Sequence, residues 1–315
     1  MQTQAQPSQR ALPVEVRALV PADLDSVVQL DAALSRKARP RYFQQRLDSA
    51  IKHPAHHLQV AAQVDGRLIG YLLARIGGGE FGGSQPTVTL ETISVDPTQR
   101  HHGAGAAMHA RIVDLARHKK ASTLHTQVDW MDASLLGFLA HKGWTLSGRQ
   151  VLQRTASPLA ALDDPDQTED NVDAIRALRP TDVDAVLRLD RQRTGQDRGD
   201  WLRRKTMDAL HDGAMVVSLV AVEDGAVVGF CLAQVDHGAY GGIQPRAQLE
   251  AISIQPGFEH KGYARALVGQ LLTNLGAILV DDVTTTVDWD HFQLLGFFRH
   301  LGFGPSQRLA LSLRL

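Results

Sequence analysis

The chain of 315 residues contains a single cysteine, Cys231, so no intrachain disulfide can staple it. Cys231 lies in the apolar run Val227-Val228-Gly229-Phe230-Cys231-Leu232, which reads as a buried structural thiol rather than a nucleophile. Neither sign of charge is in excess: 33 Lys and Arg against 34 Asp and Glu leave a formal −1. No global field then recruits nucleic acid or an anionic membrane, and any anion site has to come from local geometry. Aromatic residues make up only 5%, and no basic stripe interleaved with them appears, which argues against nucleic-acid binding. No apolar run approaches the length of a membrane-spanning helix. The polar start Met1-Gln2-Thr3-Gln4-Ala5-Gln6 lacks the basic and hydrophobic regions of a signal peptide. The expectation is a cytoplasmic protein that engages neither nucleic acid nor membrane.

What is present is a repetition. Arg17-Ala18-Leu19-Val20-Pro21-Ala22-Asp23 returns as Arg176-Ala177-Leu178-Arg179-Pro180-Thr181-Asp182, and Val128-Asp129-Trp130 as Val287-Asp288-Trp289, all at an offset of 159. That period far exceeds the roughly 20 to 50 residues of solenoid repeats, so each copy is expected to be a domain with its own core. A hydrophobic content of 43% suffices for two such cores. The expected boundaries are a disordered tail over 1–12, a first domain over 13–155, a linker over 156–173 and a second domain over 174–315. Pro158, Pro165 and the cluster Asp163-Asp164-Pro165-Asp166 mark the linker. Duplication predicts a monomer whose copies pair about an internal pseudo-two-fold.

Within each copy the coarse order is strand, helical region, hairpin, long strand, helix, strand, helix and terminal strands. The first helix opens at Pro21 and aligns Leu24, Val27, Val28 and Leu30 in an apolar stripe. Asp65-Gly66 and Asp224-Gly225, each between alternating apolar runs, predict two-residue hairpins. In Val88-Thr89-Leu90-Glu91-Thr92-Ile93-Ser94-Val95 the apolar phase runs 88, 90 and then 93, 95, a slip that predicts a β-bulge near Glu91. Ala247, Leu249, Ile252 and Ile254 repeat the slip around Glu250. Such a bulge either frees backbone groups for a ligand or is an edge irregularity.

After the bulged strand comes Arg100-His101-His102-Gly103-Ala104-Gly105-Ala106, opening a helix whose Met108, Ile112 and Leu115 share one face. Glycines at a strand-to-helix turn let backbone amides approach a phosphate, and the helix N-terminus adds positive potential. Arg100 would add a forked contact. The motif is not a Walker A loop, because GK[ST] is absent, nor does it have dinucleotide-fingerprint spacing.

The E-x-I-x-V strand, the proline, R-x-x-G-x-G, the helix, the next strand, and then Leu135-Leu136-Gly137-Phe138-Leu139-Ala140-His141-Lys142-Gly143-Trp144 resemble the GCN5-related N-acetyltransferase (GNAT) family over nearly all of both copies. The resemblance implies an α/β (α+β) chain of two tandem domains, each a mixed central sheet with a bulged fourth strand flanked by helices. It implies acetyl-CoA as co-substrate, no metal, and direct acetyl transfer to an amine, carried by a small molecule or a protein. By the same resemblance the acetyl-CoA contacts are Ile93, Val95, Arg100, His101, His102, Gly103, Ala104, Gly105 and Ala106. In the second copy they are Ile252, Ile254, His260, Lys261, Gly262, Tyr263, Ala264 and Arg265.

Amine attack on a thioester needs a neutral amine and a proton for the departing thiolate. Glu91 and Glu250 stand where family members keep a general base, and an apolar cleft can raise a carboxylate's proton affinity for that task; the alternative is a glutamate that hydrogen-bonds the kinked backbone. Asp129 and Asp288 are second candidates, or strand-end caps. The family's general-acid tyrosine is replaced by Leu139 and Phe298, and its asparagine seven residues earlier by Asp132 and His291. This departure keeps two other readings in view, a non-catalytic acyl-CoA-binding sensor and a pseudo-dimeric scaffold.

His101 and His260 are read as phosphate contacts or solvated loop residues, and His141 and His300 as pointing to the opposite helix face. His53, His56 and His57 lack convincing metal-ligand spacing. Trp130 and Trp289 are read as packing residues or cleft walls. Gly77-Gly78-Gly79, Gly82-Gly83 and Gly241-Gly242 mark a turn that borders the acceptor side. The first copy is expected to be the better acetyl-CoA site, because Glu259 replaces Arg100 three residues before the loop glycine.

Overall fold

The computed structural model describes residues 13–35, 38–77, 86–159, 175–195, 198–211, 217–242 and 244–315. The N-terminal tail, most of the linker, and Gly78, Gly79, Gly82 and Gly83 lie outside these.

Each copy runs through the same elements. The first comprises β1 (Glu15–Ala18), α1 (Leu24–Ser35), α2 (Pro40–Lys52), β2 (His57–Val64), β3 (Arg67–Gly77), β4 (Thr87–Val95), α3 (Ala104–His118), β5 (Thr123–Asp129), α4 (Ala133–His141), β6 (Thr145–Leu146) and β7 (Arg149–Thr155). The second comprises β8 (Ile175–Ala177), α5 (Val183–Thr194), α6 (Gly199–His211), β9 (Leu219–Glu223), β10 (Ala226–Asp236), β11 (Arg246–Ile254), α7 (Tyr263–Ala277), β12 (Asp282–Asp288), α8 (Phe292–His300), β13 (Gly304–Pro305) and β14 (Arg308–Arg314).

Pro21 opens a 3-10 turn, Pro21–Asp23, that leads directly into α1. The Asp23 carboxylate accepts from the Val20 amide at 2.9 Å and from Arg17 at 2.7 Å, tying the helix start to β1. Asp182 repeats the arrangement with the Arg179 amide at 2.8 Å and with Arg176 at 2.6 Å. The α1 stripe then buries Val27 and Leu30 against Phe43 and Leu47 of α2 and Tyr71 of β3. Both hairpins form at the expected residues. Asp65 and Gly66 take φ of 49° and 76°, and Asp224 and Gly225 take 52° and 77°, the paired positive angles of a two-residue turn. The second-copy bulge is likewise where the phase slip put it. Leu232 faces Ala251 and Ala233 faces Leu249, which leaves Glu250 as the extra residue.

The strands form two seven-stranded mixed sheets, in the orders β1-β2-β3-β4-β5-β14-β6 and β13-β7-β12-β11-β10-β9-β8. β4 with β5 and β11 with β12 run parallel, whereas β1–β2, β2–β3, β5–β14 and β14–β6 in the first sheet and β13–β7, β7–β12, β11–β10, β10–β9 and β9–β8 in the second run antiparallel. The last long strand of each copy crosses to the other copy's sheet. β7 pairs with β12 from Arg149 opposite Asp288 to Thr155 opposite Asp282. β14 pairs with β5 from Arg308 opposite Asp129 to Arg314 opposite Thr123. The ranges 13–155 and 174–315 therefore describe the repeat in sequence, whereas each sheet takes one interior strand from the other copy.

The chain divides into two compact units, the described residues of Met1–Ile76 with Leu90–Lys120, and those of Gly77–Thr89 with Ala121–Leu315. In the second unit Leu152 of β7 lies in one core with Leu267, Leu271 and Leu275 of α7, Val283 and Val287 of β12, and Phe298 of α8. The opening of the linker is anchored to that core, since the Ala156 amide bonds Asp281 O at 2.7 Å and Leu159 packs against the cluster. Cys231 is fully buried, and burial pushes its thiol up to about 12, in keeping with a structural role.

Candidate active site

The site is built around the one place where the parallel ladder stops. β11 and β12 pair only from Arg246–Asp282 to Gln248–Thr284. At the next step the Thr285 hydroxyl, instead of a backbone amide, donates to Leu249 O at 3.0 Å. β12 continues to Asp288 on its β7 side, so the two parallel strands separate immediately before Glu250, leaving Ile252 and Ile254 beyond the last pair. The β4–β5 ladder stops at the equivalent step, Thr89 opposite His125; Ile93 and Val95 lie further along β4, half-buried.

The loop that follows β4 turns on Asp96, which accepts from the Thr98 amide at 2.9 Å and its hydroxyl at 2.7 Å. The backbone then takes φ of 68° at His101 and 87° at Gly103. Gly103 caps α3 with no side chain over the amides, and the first internal bond runs from the Ala107 amide to Gly103 O at 2.9 Å. The amides of Ala104, Gly105 and Ala106 therefore point out of an open helix end. α7 repeats this with φ of 63° at His260 and 82° at Gly262, and with the Ala266 amide on Gly262 O at 2.9 Å. Arg100, His101, His102, His260 and Lys261 are exposed, while Ala264 and Arg265 are half-buried. Ala104 and Tyr263 turn their side chains into the core. The Tyr263 hydroxyl donates to Glu223 at 2.5 Å, so what Tyr263 presents at the helix end is its amide. Two open helix ends, each after a parted parallel ladder, fit a diphosphate followed by an extended thioester arm.

Glu259 is drawn aside by the Gly257 amide at 2.9 Å and by Arg193 at 3.0 Å, and these contacts, the amide first, hold its carboxyl below the usual range. Lys261 stands 3.6 Å from Glu223 and lies over the Phe258 ring at 4.7 Å.

Glu91 and Glu250 are each 3% exposed and each meets a cation from the second helix of its copy. Both Glu91 oxygens are taken: Oε2 by Arg46 of α2, and Oε1 by Arg75 Nε of β3 at 3.2 Å. Burial alone would raise its proton affinity, but the charges of Arg46 and Arg75 outweigh it and hold the carboxyl below its ordinary value. The expectation of a raised proton affinity is thus reversed at Glu91, because two guanidiniums replace the apolar surroundings it presumed. His57 completes the cluster. Its Nδ1 lies 2.7 Å from Arg46 and its Nε2 2.9 Å from Ser49 Oγ, and burial together with Arg46 lowers it to about 3, so the ring is neutral. In the second copy Lys205 of α6 holds Glu250 Oε1 at 2.6 Å, with Gln234 Oε1 3.4 Å from the same ammonium.

Asp129 accepts from the Met131 amide at 3.0 Å, the strand-end cap considered for it. Asp288 receives Arg149 Nε at 2.8 Å, an arginine delivered by the exchanged strand β7. Leu139 and Phe298 are both fully buried, and Asp132 and His291 cap α4 and α8 through the amides of Leu135 and Leu294. The general-acid positions are therefore core positions here. His141 and His300 bond Gly137 O and Gly296 O within their own helices, each at 2.7 Å. Trp130 and Trp289 are each 56% exposed, which removes the packing role proposed for them. Both rings sit in a tight turn at the strand end, closed by the Asp132 amide on Asp129 O at 2.9 Å and the His291 amide on Asp288 O at 3.1 Å. Gly241 and Gly242 close a short turn in which the Gly242 amide bonds Ala239 O at 3.0 Å. Arg46, Arg75 and Lys205 were not singled out from sequence, and His57 was weighed there only as a metal ligand. The only trace is that Arg46 and Lys205 keep a cation at one repeat position.

The sequence model of the acetyltransferase (GNAT) family matches residues 24–138 and again 182–303. The chain belongs to the GNAT family. Among solved structures, this GNAT chain is similar to a GCN5-related N-acetyltransferase from Sphaerobacter thermophilus, at 20% identity and TM-score 0.61, covering 96% of each chain. It is similar to a tandem GNAT protein from the clavulanic acid biosynthesis pathway, at 18% identity and TM-score 0.63, covering 96% of this chain and 98% of the other. A third likeness is to a fungal multi-domain β-N-acetylglucosaminidase with a glucosamine N-acetyltransferase region, at 16% identity and TM-score 0.67. There, 96% of this chain corresponds to 38% of the other, so the chain spans well under half of that protein. These identities speak to fold. Comparison with curated protein sequences gives no significant match. No helix among the described residues is long and apolar enough to cross a membrane.

Proposed function

We propose that the protein is an acetyl-CoA-dependent N-acetyltransferase that passes the acetyl group directly to an amine acceptor, a small molecule or a protein. The observation that carries this is the open helix end after a parted parallel ladder, present in both copies. Bound acetyl-CoA supplies an activated acetyl thioester. The amides at 104–106, with Arg100, His101 and His102, hold the diphosphate of the first copy, and those at 263–265, with His260 and Lys261, hold that of the second. Backbone groups at Ile93, Val95, Ile252 and Ile254 line the arm. Glu91, Glu250, Asp129 and Asp288 are the groups available to orient or deprotonate the amine, and the thiolate takes its proton from water.

The first copy is the better acetyl-CoA site in this reading, since Arg100 stands where the second copy has Glu259. The reading takes the chain to be a cytoplasmic monomer that engages no nucleic acid. Reciprocal strand exchange supports the monomer, because both exchange positions are filled from within one chain. The full burial of Leu139 and Phe298 favours a second reading, an acyl-CoA-binding sensor or a pseudo-dimeric scaffold. A panel of amines scored for CoA release, beside acetyl-CoA calorimetry, tests both. Amine-dependent release identifies the enzyme, saturable binding without release identifies the sensor, and no binding leaves the scaffold.

A further inference from the structure

Two cross-strand pairs at equivalent repeat positions end differently. Arg149 on β7 closes on Asp288 at 2.8 Å. Arg308 on β14 stands opposite Asp129 in the same register, yet it makes no ion pair among the described residues. It donates instead to Tyr240 O at 3.1 Å, in the turn between β10 and β11, where Tyr240 holds φ of 52°. The base of that hairpin is the pair Asp236 opposite Arg246. The Asp236 carboxylate is occupied by the turn itself, accepting from the Gly238 amide at 2.7 Å and from the Ala239 amide. Arg246 approaches Asp282 no closer than 3.6 Å, and its Nε is a buried donor with no acceptor. The first copy has Thr87 at this repeat position, so the second cation belongs to the second copy alone. Two guanidiniums thus come together near the end of β5, neither of them hydrogen-bonded to a carboxylate. Burial, followed by the charge of Arg246, pulls the Arg308 guanidinium below its ordinary value. All of these groups lie in the second compact unit.

We propose that Arg246 and Arg308 hold a carboxylate of the acceptor, which is therefore an amine that also carries a carboxylate, as a free amino acid does. This rests on the transferase reading and narrows its acceptor. Like charges drawn together are stabilised by an anion between them, and the guanidinium fork matches the two oxygens of a carboxylate. Asp129 and Asp236 in the same neighbourhood leave room for a single negative charge and disfavour a doubly charged phosphate. Asp129, opposite Arg308, binds the Met131 amide through Oδ1 and offers its charge to the ammonium of the same molecule. The position agrees with the site. The β4–β5 ladder ends at His125 while β5 runs on to Asp129 along β14, so Arg308 lies beside the stretch of β5 that the ladder leaves. In the second copy the corresponding register is closed by Arg149 and Asp288, so the acceptor carboxylate is recognised at the end of β5 and not of β12.

The test scores CoA release by the full chain with each natural amino acid beside its decarboxylated amine, such as lysine with cadaverine and histidine with histamine. The wild type is expected to favour the amino acid of at least one pair by roughly 10- to 100-fold in kcat/KM. Arg246→Gln should raise KM for that amino acid about tenfold or more, with kcat little changed and the partner amine unaffected. Acetyl-CoA affinity, read by calorimetry, should stay as in the wild type. If Arg246→Gln does not fold, Arg308→Lys, which keeps a donor for Tyr240 O, should raise KM for the amino acid in the same way. No preference for the carboxylate in any pair, or a preference that these substitutions leave untouched, would overturn the proposal with the transferase reading intact. A fall in acetyl-CoA affinity in Arg246→Gln would also overturn it, assigning the guanidiniums to a phosphate of the co-substrate. If no amine releases CoA, the transferase reading falls, and titration of the amino acids in the presence of CoA decides the site. Saturable heat that Arg246→Gln removes supports it, and no heat from any amino acid overturns it.

Discussion

Glu91→Gln probes the buried charge cluster of the first unit most directly. The substitution keeps the shape and removes the charge, leaving Arg46, 13% exposed, and Arg75, 23% exposed, against a neutral amide. Breaking a buried pair from one side costs about 3–5 kcal/mol, because the surviving charge is left without a counterion away from water. Arg75 has the shorter way to solvent, which places the expected loss near the lower end, about 3 kcal/mol. At roughly 2–4 °C per kcal/mol, calorimetry should show the transition of that unit falling by about 6–12 °C. The loss should also depend on pH. Glu91 has a native pKa below its unfolded value of about 4.3, so its contribution is fully present above that value and fades as pH falls through the native pKa. The gap between wild type and variant should therefore hold from neutral pH to about pH 5 and narrow below about pH 4. Pairing Glu91→Leu with Arg46→Met should recover part of the loss, since apolar groups of similar volume need no counterion. A single variant within about 1 kcal/mol of wild type at neutral pH, or a gap that does not narrow in acid, would refute the account.

Millimolar acetyl-CoA over a micromolar Kd should stabilise the protein by roughly 4 kcal/mol; no heat and no melting shift in calorimetry would count against the cradle at the open helix ends. Gly103→Asp should abolish the tighter acetyl-CoA binding event and Gly262→Asp the weaker. Arg100 against Glu259 is worth roughly a five- to 150-fold difference in Kd, or about 1 to 3 kcal/mol, and equal affinities would show that this loop charge does not rank the copies. The Arg193 contact to Glu259 should set the difference toward the lower end of that range. A protease site placed within residues 160–173 and cut in the folded protein should leave both fragments in one particle near 34.4 kDa by light scattering at low micromolar concentration. Fragments that separate without denaturant would contradict the strand exchange, and a particle of twice that mass before cutting would contradict the monomer.

Local rules carried far in this chain. The Asp-Gly pairs demanded two consecutive positive φ angles, and both hairpins turn there. A phase slip in a strand of period two requires an extra residue, and Glu250 is that residue. Glycine ahead of an apolar helical stripe marked both open helix ends, because the signal lies within a few consecutive residues. The offset of 159 established that the chain is two copies of one plan.

Three things needed the folded chain. The charge state of Glu91 depends on Arg46, 45 positions away and carried on α2, and on Arg75 of the neighbouring strand β3. Glu250 instead pairs with Lys205, and a glutamine, Gln234, stands at the repeat position of Arg75, a difference that carries meaning only once the strands are seen side by side. The exchange of β7 and β14 left no mark in the repeat. Arg149 opposite Asp288 and Arg308 opposite Asp129 are equivalent pairs, so pairing groups on β5 and β12 accept either terminal strand in the same register. Local sequence determines what a strand can pair with. Which of two equivalent positions it fills is decided by the path of the chain between them, and that exists only in the tertiary structure.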